Sequence, residues 1–148
     1  MPLSRTDSMK SLLAVLTAAP LLLAGPALAE GPMGVWQSPS RGAHIQILSC
    51  GEDAICGKLL SASKPKTNPE FLDVHNKDPE LRKRSVMGQI VLDGFKGGPP
   101  KWTGGRVYNP GDGNYYKGII TQIDEDHLTL KGCALVFLCK SQVWTRIE

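Results

Sequence analysis

No stretch of this 148-residue chain stays apolar for long enough to cross a bilayer as a helix. The longest apolar run, 12–23, is interrupted by Pro20 and followed by Gly25-Pro26, which leaves fewer than the roughly 20 residues a span needs. Arg5 and Lys10 precede the run and Ala27-Leu28-Ala29 follow it, the pattern of a signal peptide cleaved after Ala29. The first cysteine after the run is Cys50, so no nearby thiol is available for a lipid anchor. The expected mature chain, 30–148, keeps 119 residues, enough for one domain with one modest core.

An excess of charge is missing as well. The whole chain carries a formal +3, and removing Arg5, Lys10 and Asp7 with the leader leaves 15 basic and 13 acidic side chains. The one basic cluster, Arg82-Lys83-Arg84, is shorter than the runs that signal a polyanion and reads as a solvated helix end. A nucleic-acid partner is therefore excluded.

Catalytic vocabulary is equally thin. His44, His75 and His127 stand far apart, no serine has a Gly-x-Ser-x-Gly context, and Asn109 to Gly113 lack the further carboxylates of a calcium loop. Asp73-x-His75-x-x-Asp78 has the letters of a chelate, but a polar loop with a helix cap explains it more simply. The expectation is no metal, no cofactor and no enzyme.

The cysteines are few and paired. Cys50 and Cys56, then Cys133 and Cys139, repeat one spacing of six in a chain addressed to an oxidising compartment. Zinc favours closer spacings, and neither interval contains histidine. Of three possible connectivities the reading favours Cys50 with Cys56 and Cys133 with Cys139, each across its own hairpin neck.

What the chain does have is alternation. Trp102 to Gly118 reads as a β-hairpin turning on Asn109-Pro110-Gly111-Asp112-Gly113, with Trp102, Gly104, Arg106 and Tyr108 expected on one face. The glycine pair Gly104-Gly105 marks a bulge or bend of the kind a small sheet needs in order to close. Further strands are expected over 34–38, 43–49, 56–62, 86–95, 127–131 and 139–147. A long proline-containing connection, 63–84, carries a short helix at 78–82, where Asp78 is the cap and Pro79 the first helical residue. Eight antiparallel strands joined mostly by hairpins predict an all-β closed barrel.

The first and last strands carry Gly34-x-Trp36 and Trp144-x-Arg146, which resemble the lipocalin and calycin pattern. That resemblance implies a structural role for Trp36, packed beneath Arg146. A longer pattern is similar to the domain of unknown function 2147 family of secreted bacterial proteins. It comprises Cys50-Gly51, Cys56-Gly57, Asp73 with Asn76, Asp78-Pro79, Leu81-Arg82, Gly88, Trp102-x-Gly104-Gly105, Tyr108-x-Pro110, Gly113, Tyr115 and Gln142-x-Trp144-x-Arg146. The resemblance implies a lipocalin-like barrel exported to the periplasm or beyond; it brings no activity and no catalytic residue.

The functional expectation is a binding protein holding a small, partly apolar and possibly anionic molecule. Trp102, Arg106 and Tyr108 are the expected lumen residues, with Arg106 anchoring the head group and Tyr116 and Trp144 added from neighbouring strands. A solid barrel acting as an interaction module is the alternative, and a hydrolase the third reading. The apolar run Ala134, Leu135, Val136, Phe137 and Leu138 sits where a hairpin tip ought to be polar, and is either tucked into the barrel or a contact for a protein partner.

Overall fold

Eight alternating runs become eight strands in the computed structural model, which describes residues 31–148; the expected leader and its cleavage site after Ala29 lie outside the described residues. The strands are β1 (Gly34–Gln37), β2 (His44–Ser49), β3 (Ala54–Ser61), β4 (Ile90–Gly98), β5 (Lys101–Asn109), β6 (Asn114–Gln122), β7 (His127–Leu135) and β8 (Leu138–Arg146). Each pairs antiparallel with its sequence neighbour, and β8 returns to β1, so the sheet closes without a free edge strand.

Both expected disulfides form, Cys50 to Cys56 and Cys133 to Cys139. The expected helix at 78–82 is one 3-10 turn, Pro79–Leu81, with the Asp78 carboxylate accepting the Glu80 N–H at 3.0 Å. No longer helix occurs among the described residues. The fourth strand starts at Ile90 rather than at Val86, because the Val86 N–H is spent on the Phe71 carbonyl across the long connection. β7 runs to Leu135, beyond the expected 131, since Cys133 stands directly opposite Cys139.

One end of the barrel is shut. Trp36 is fully buried and donates its indole N–H to the Pro32 carbonyl at 2.8 Å, while the Arg146 guanidinium lies 4.3 Å from its ring centroid. Arg146 also donates to the carbonyls of Glu125 and Met33, tying the last strand to the β6–β7 turn and to the segment before β1. Trp36 and Arg146, expected to pack together, are in contact.

The next layer up is built on absent side chains. Phe95 is fully buried, and its ring occupies the notch left by Gly105 and Gly118 on the two following strands. A Cβ at Gly105 would lie 2.2 Å from Phe95 Cδ2, and one at Gly118 2.4 Å from its Cζ. Phe95, Trp102, Ile120 and Leu128 fill this half of the lumen.

The face of β5 is set by a bulge. Against β6, three steps from Trp102 to Gly105 match two from Ile120 to Gly118, and the extra residue is Gly104 at φ 76°. One additional residue reverses the parity of everything after it. β4 carries a matching irregularity at Gly94, φ 69°, where three steps from Leu92 to Phe95 oppose two from Gly57 to Ile55.

Two stability outcomes follow from this packing. Trp36→Ala should cost about 3–5 kcal/mol in denaturant unfolding, the usual loss for a large buried aromatic, and Arg146→Ala less. Gly105→Ala should cost about 1–3 kcal/mol through overpacking, and a double-mutant cycle with Phe95→Leu should recover part of that loss. Additive effects of these two changes would remove the proposed notch.

Candidate functional site

The two ends of the barrel differ in what gathers there. Turns 50–53, 99–100 and 123–126 surround the closed end; turns 38–43, 110–113 and 136–137 and the long connection 62–89 surround the other. From that second end a cavity of about 1120 Å³ runs down into the lumen. Ile45, Leu59, Leu92, Val107, Leu130 and Trp144 wall it, one from each of six strands, because inward positions alternate along every strand of a barrel.

Polar groups enter this apolar space at one height. Ser38 donates its hydroxyl to Gln142 Oε1 at 3.1 Å, and the Trp144 indole N–H donates to the same oxygen at 3.3 Å. With its acceptor occupied twice, the Gln142 amide is held in one orientation, and its NH₂ has no hydrogen-bond partner among the described residues. Two residues nearer the mouth, Lys140 has the same inward parity and lines the cavity with no acidic partner among the described residues. Arg41, Glu70 and His75 complete the rim.

The residues expected to line the lumen separate. Trp144 lines the cavity. Trp102 points inward but lies below Phe95, beside a shallower depression of about 370 Å³ shared with Pro32 and Ile55 at the closed end. Tyr116 shares the inward parity of Gly118 and sits near the mouth, its hydroxyl donating to Asp112 at 2.5 Å. The expectation that Arg106 and Tyr108 share the face of Trp102 is corrected by the bulge at Gly104. Arg106 stands exposed on the outer surface, donating to Asp93 at 2.6 Å and lying 4.7 Å from the Tyr115 ring centroid. An anchoring role for Arg106 inside the lumen has no geometric basis.

Tyr108 follows Arg106 to the outer face and lies tilted against Tyr115 at 4.9 Å, but the long connection covers it, and together with residues of that connection it still lines the cavity. Its hydroxyl donates to Asp73 Oδ1 at 2.5 Å. Asp73 is fully buried and its other oxygen accepts from Asn76 Nδ2 at 2.7 Å and from Arg84 Nη2 at 3.2 Å. Burial first, and then the bond to Asp73, raise the Tyr108 phenol well above its ordinary value, which keeps it a donor. Arg82 donates to the Asn76 carbonyl at 2.8 Å, and a Cβ at Gly113 would lie 1.8 Å from the His75 carbonyl oxygen. The long connection is therefore latched to the β5–β6 hairpin, with Phe71 and Leu72 facing the cavity.

The letters Asp73, Asn76, Arg82, Tyr108 and Gly113 thus belong to one latch. The Asp73-x-His75-x-x-Asp78 segment is divided between this network and the cap of the 3-10 turn. The sequence reading missed Lys140 as a cavity residue. Its signal was parity with Gln142 and Trp144 on β8.

Residues 34–146 match the model of a family described as an uncharacterized protein conserved in bacteria, the domain of unknown function 2147. The chain belongs to this family. A solved structure similar to it is that of protein HP1028 from Helicobacter pylori, described as belonging to the lipocalin family. The two share 22% identity over 78% of this chain and 82% of that one, with a TM-score of 0.68. At that identity the likeness is one of fold. Among curated proteins nothing matches the chain.

The latch gives a ranked outcome. Asp73→Ala, which removes the buried acceptor shared by Tyr108, Asn76 and Arg84, should cost about 3–5 kcal/mol. Tyr108→Phe, which removes one bond to a charged group, should cost about 1.5–3 kcal/mol. In amide hydrogen exchange both should lower protection in 68–86 more than in β2; equal loss in the two regions would show that Asp73 serves the barrel and not the connection.

Proposed function

We propose that this family member is an exported carrier that holds one small amphipathic molecule, its apolar part in the upper lumen and its polar or anionic head toward the mouth. The observation that carries this reading is the open cavity of about 1120 Å³ above the Phe95 layer, slightly larger than the roughly 300–1,000 Å³ usual for small-molecule pockets. Apolar walls from six strands favour a hydrocarbon or aromatic tail. The fixed Gln142 amide supplies donors to a head group, and Lys140 and Arg41 supply positive charge at the rim. Both disulfides suit an oxidising compartment outside the cytoplasm, in keeping with the leader read in 1–29.

We read the cavity as a binding site and not a catalytic one. Of its buried hydroxyls, that of Ser38 donates to an amide oxygen and that of Tyr108 is committed to the Asp73 latch, and the histidine that lines the cavity, His75, lies at the rim.

Titration with a fluorescent fatty acid tests this. Saturable one-to-one binding is expected, lost in Ala43→Phe, which fills the cavity, while the melting temperature stays within a few degrees of wild type. Lys140→Ala should weaken the fatty acid about three- to five-fold, the effect of one solvent-screened charge of about 1 kcal/mol or less, and leave the matching alcohol unchanged. Failure of the wild type to bind any such probe saturably would overturn the carrier reading.

A further inference from the structure

The tip of the β7–β8 hairpin is the most exposed apolar surface of the described chain. Val136 is 95% and Phe137 82% exposed, and Leu135 and Leu138 beside them are more than half exposed. Single exposed apolar residues are ordinary on any protein; four in succession at a hairpin tip, where turns are normally polar, are not. The tip is also free-standing. Pairing of β6 with β7 ends at Lys117 opposite Cys133, so from Ala134 onward the hairpin has only itself as a partner. The Cys133–Cys139 disulfide crosses its neck, fixing the two arms that present the tip.

The charges around it have one sign. From His127 to Ile147 there is no carboxylate, whereas Lys131 and Lys140 lie on the hairpin and Lys117 faces its neck across the sheet. The carboxylates at this end of the barrel belong to other elements: Glu70, the latched Asp73, and Asp78 and Glu80 of the 3-10 turn to the long connection, and Asp112, engaged by Tyr116 and Asn109, to the β5–β6 turn.

We propose that this hairpin is a docking finger for an anionic lipid bilayer, and that it brings the cavity mouth to the membrane surface. The dimensions agree. Val136 stands three residues beyond Cys133, at most about 10 Å at the rise of a strand, which matches the roughly 5–10 Å to which interfacial apolar groups sink. Lysines at the neck then lie at the level of lipid phosphates. A protein partner fits the observations less well, because a stable interface buries about 800 Å² on each side and four side chains on a narrow tip do not supply it alone. The disulfide lowers the ordering cost of docking, since the finger is shaped before it meets the surface. Docking and cavity binding are separable, because no residue of the tip lines the cavity.

Sedimentation with sucrose-loaded vesicles tests the proposal. The wild-type protein should pellet with vesicles of phosphatidylglycerol and phosphatidylethanolamine, less with phosphatidylcholine alone, and less again as salt is raised. Phe137→Asp should lower partitioning at least tenfold with an unchanged melting temperature. Lys117→Glu combined with Lys131→Glu should abolish the preference for the anionic vesicles. Fatty-acid binding in lipid-free buffer should be unaffected by Phe137→Asp, so loss of docking and failure of the carrier reading are distinguishable. Wild-type protein that stays in solution with both vesicle types, or a Phe137→Asp protein that pellets as well as wild type, would overturn the proposal. So would a wild-type dimer in analytical ultracentrifugation that Phe137→Asp returns to monomer while vesicles are ignored, for the finger would then be a contact between copies.

Discussion

Parity along β5 is the constraint on which the rest of this molecule depends. Gly104 takes a positive φ that other residues adopt only with strain, and the single residue it adds turns one strand into two segments of opposite facing. Trp102 is thereby sent into the floor of the barrel, and Arg106 and Tyr108 to its outside. Gly94 makes the compensating shift on β4, so Asp93 still meets Arg106 and Lys96 still meets Thr103 on either side of the two bulges. The ladder survives and both strands bend together, as closure of a small barrel demands. The result is also sound electrostatically. Asp93 and Arg106 meet where water screens them, whereas inside the lumen the same pair would carry a desolvation cost of several kcal/mol per ion.

Once Tyr108 is outside, something must cover it, and Asp73 does so by bringing the long connection with it. Connections as long as 62–89 are uncommon in small domains without a role, and this one contributes one 3-10 turn and a single bridge between Leu72 and Ser85. What gives it a fixed path is a buried carboxylate receiving donors from three directions. Removing any one of these donors leaves the rest oriented; removing the carboxylate takes the shared acceptor from all three and leaves only the bond from the Asn76 amide to the Tyr108 hydroxyl. The mouth of the cavity is shaped by this latch, for Phe71, Leu72, Val74 and His75 along its rim belong to the segment that Asp73 holds.

Alternation made most of the strands legible, since the period of two that buries Ile45 and Ile47 or Leu128 and Leu130 is written directly in the letters. The closed end was legible for another reason. Gly34, Trp36 and Arg146 form a constellation with fixed partners, and a Cβ at Gly34 would lie 2.4 Å from the Glu148 carbonyl oxygen. The site was much less legible. A glycine pair announces a bulge without saying which face follows it, so the aromatic-and-arginine face expected on β5 divided in two. Asp73 looked like a loop residue because its donors, Tyr108 foremost, lie far along the chain, and nothing local separates a buried carboxylate from a solvated one. Lys140 was overlooked because a lysine reads as surface even at an inward position.

The asymmetry between the ends gives the cavity its character. Gly105 and Gly118 let the Phe95 ring approach the wall, so one aromatic layer seals the lumen below while the walls above, aliphatic except for Trp144 and the aromatics beside the long connection, remain unfilled. Recognition of a tail in such a space is a matter of shape and apolar area, which discriminates weakly between similar molecules. Discrimination must come from the polar level. There Gln142 is set by Ser38, which is buried, and by Trp144, which is part of the wall, so its orientation is determined by the fold before any ligand arrives. Lys140, exposed and on a flexible stem, adapts to whatever charge is offered. A fixed amide below a mobile ammonium favours molecules whose head accepts hydrogen bonds at a defined distance from an apolar tail. On the proposed carrier reading, Gln142 would govern which ligand the barrel accepts, and Lys140 mainly how tightly an anionic one is held.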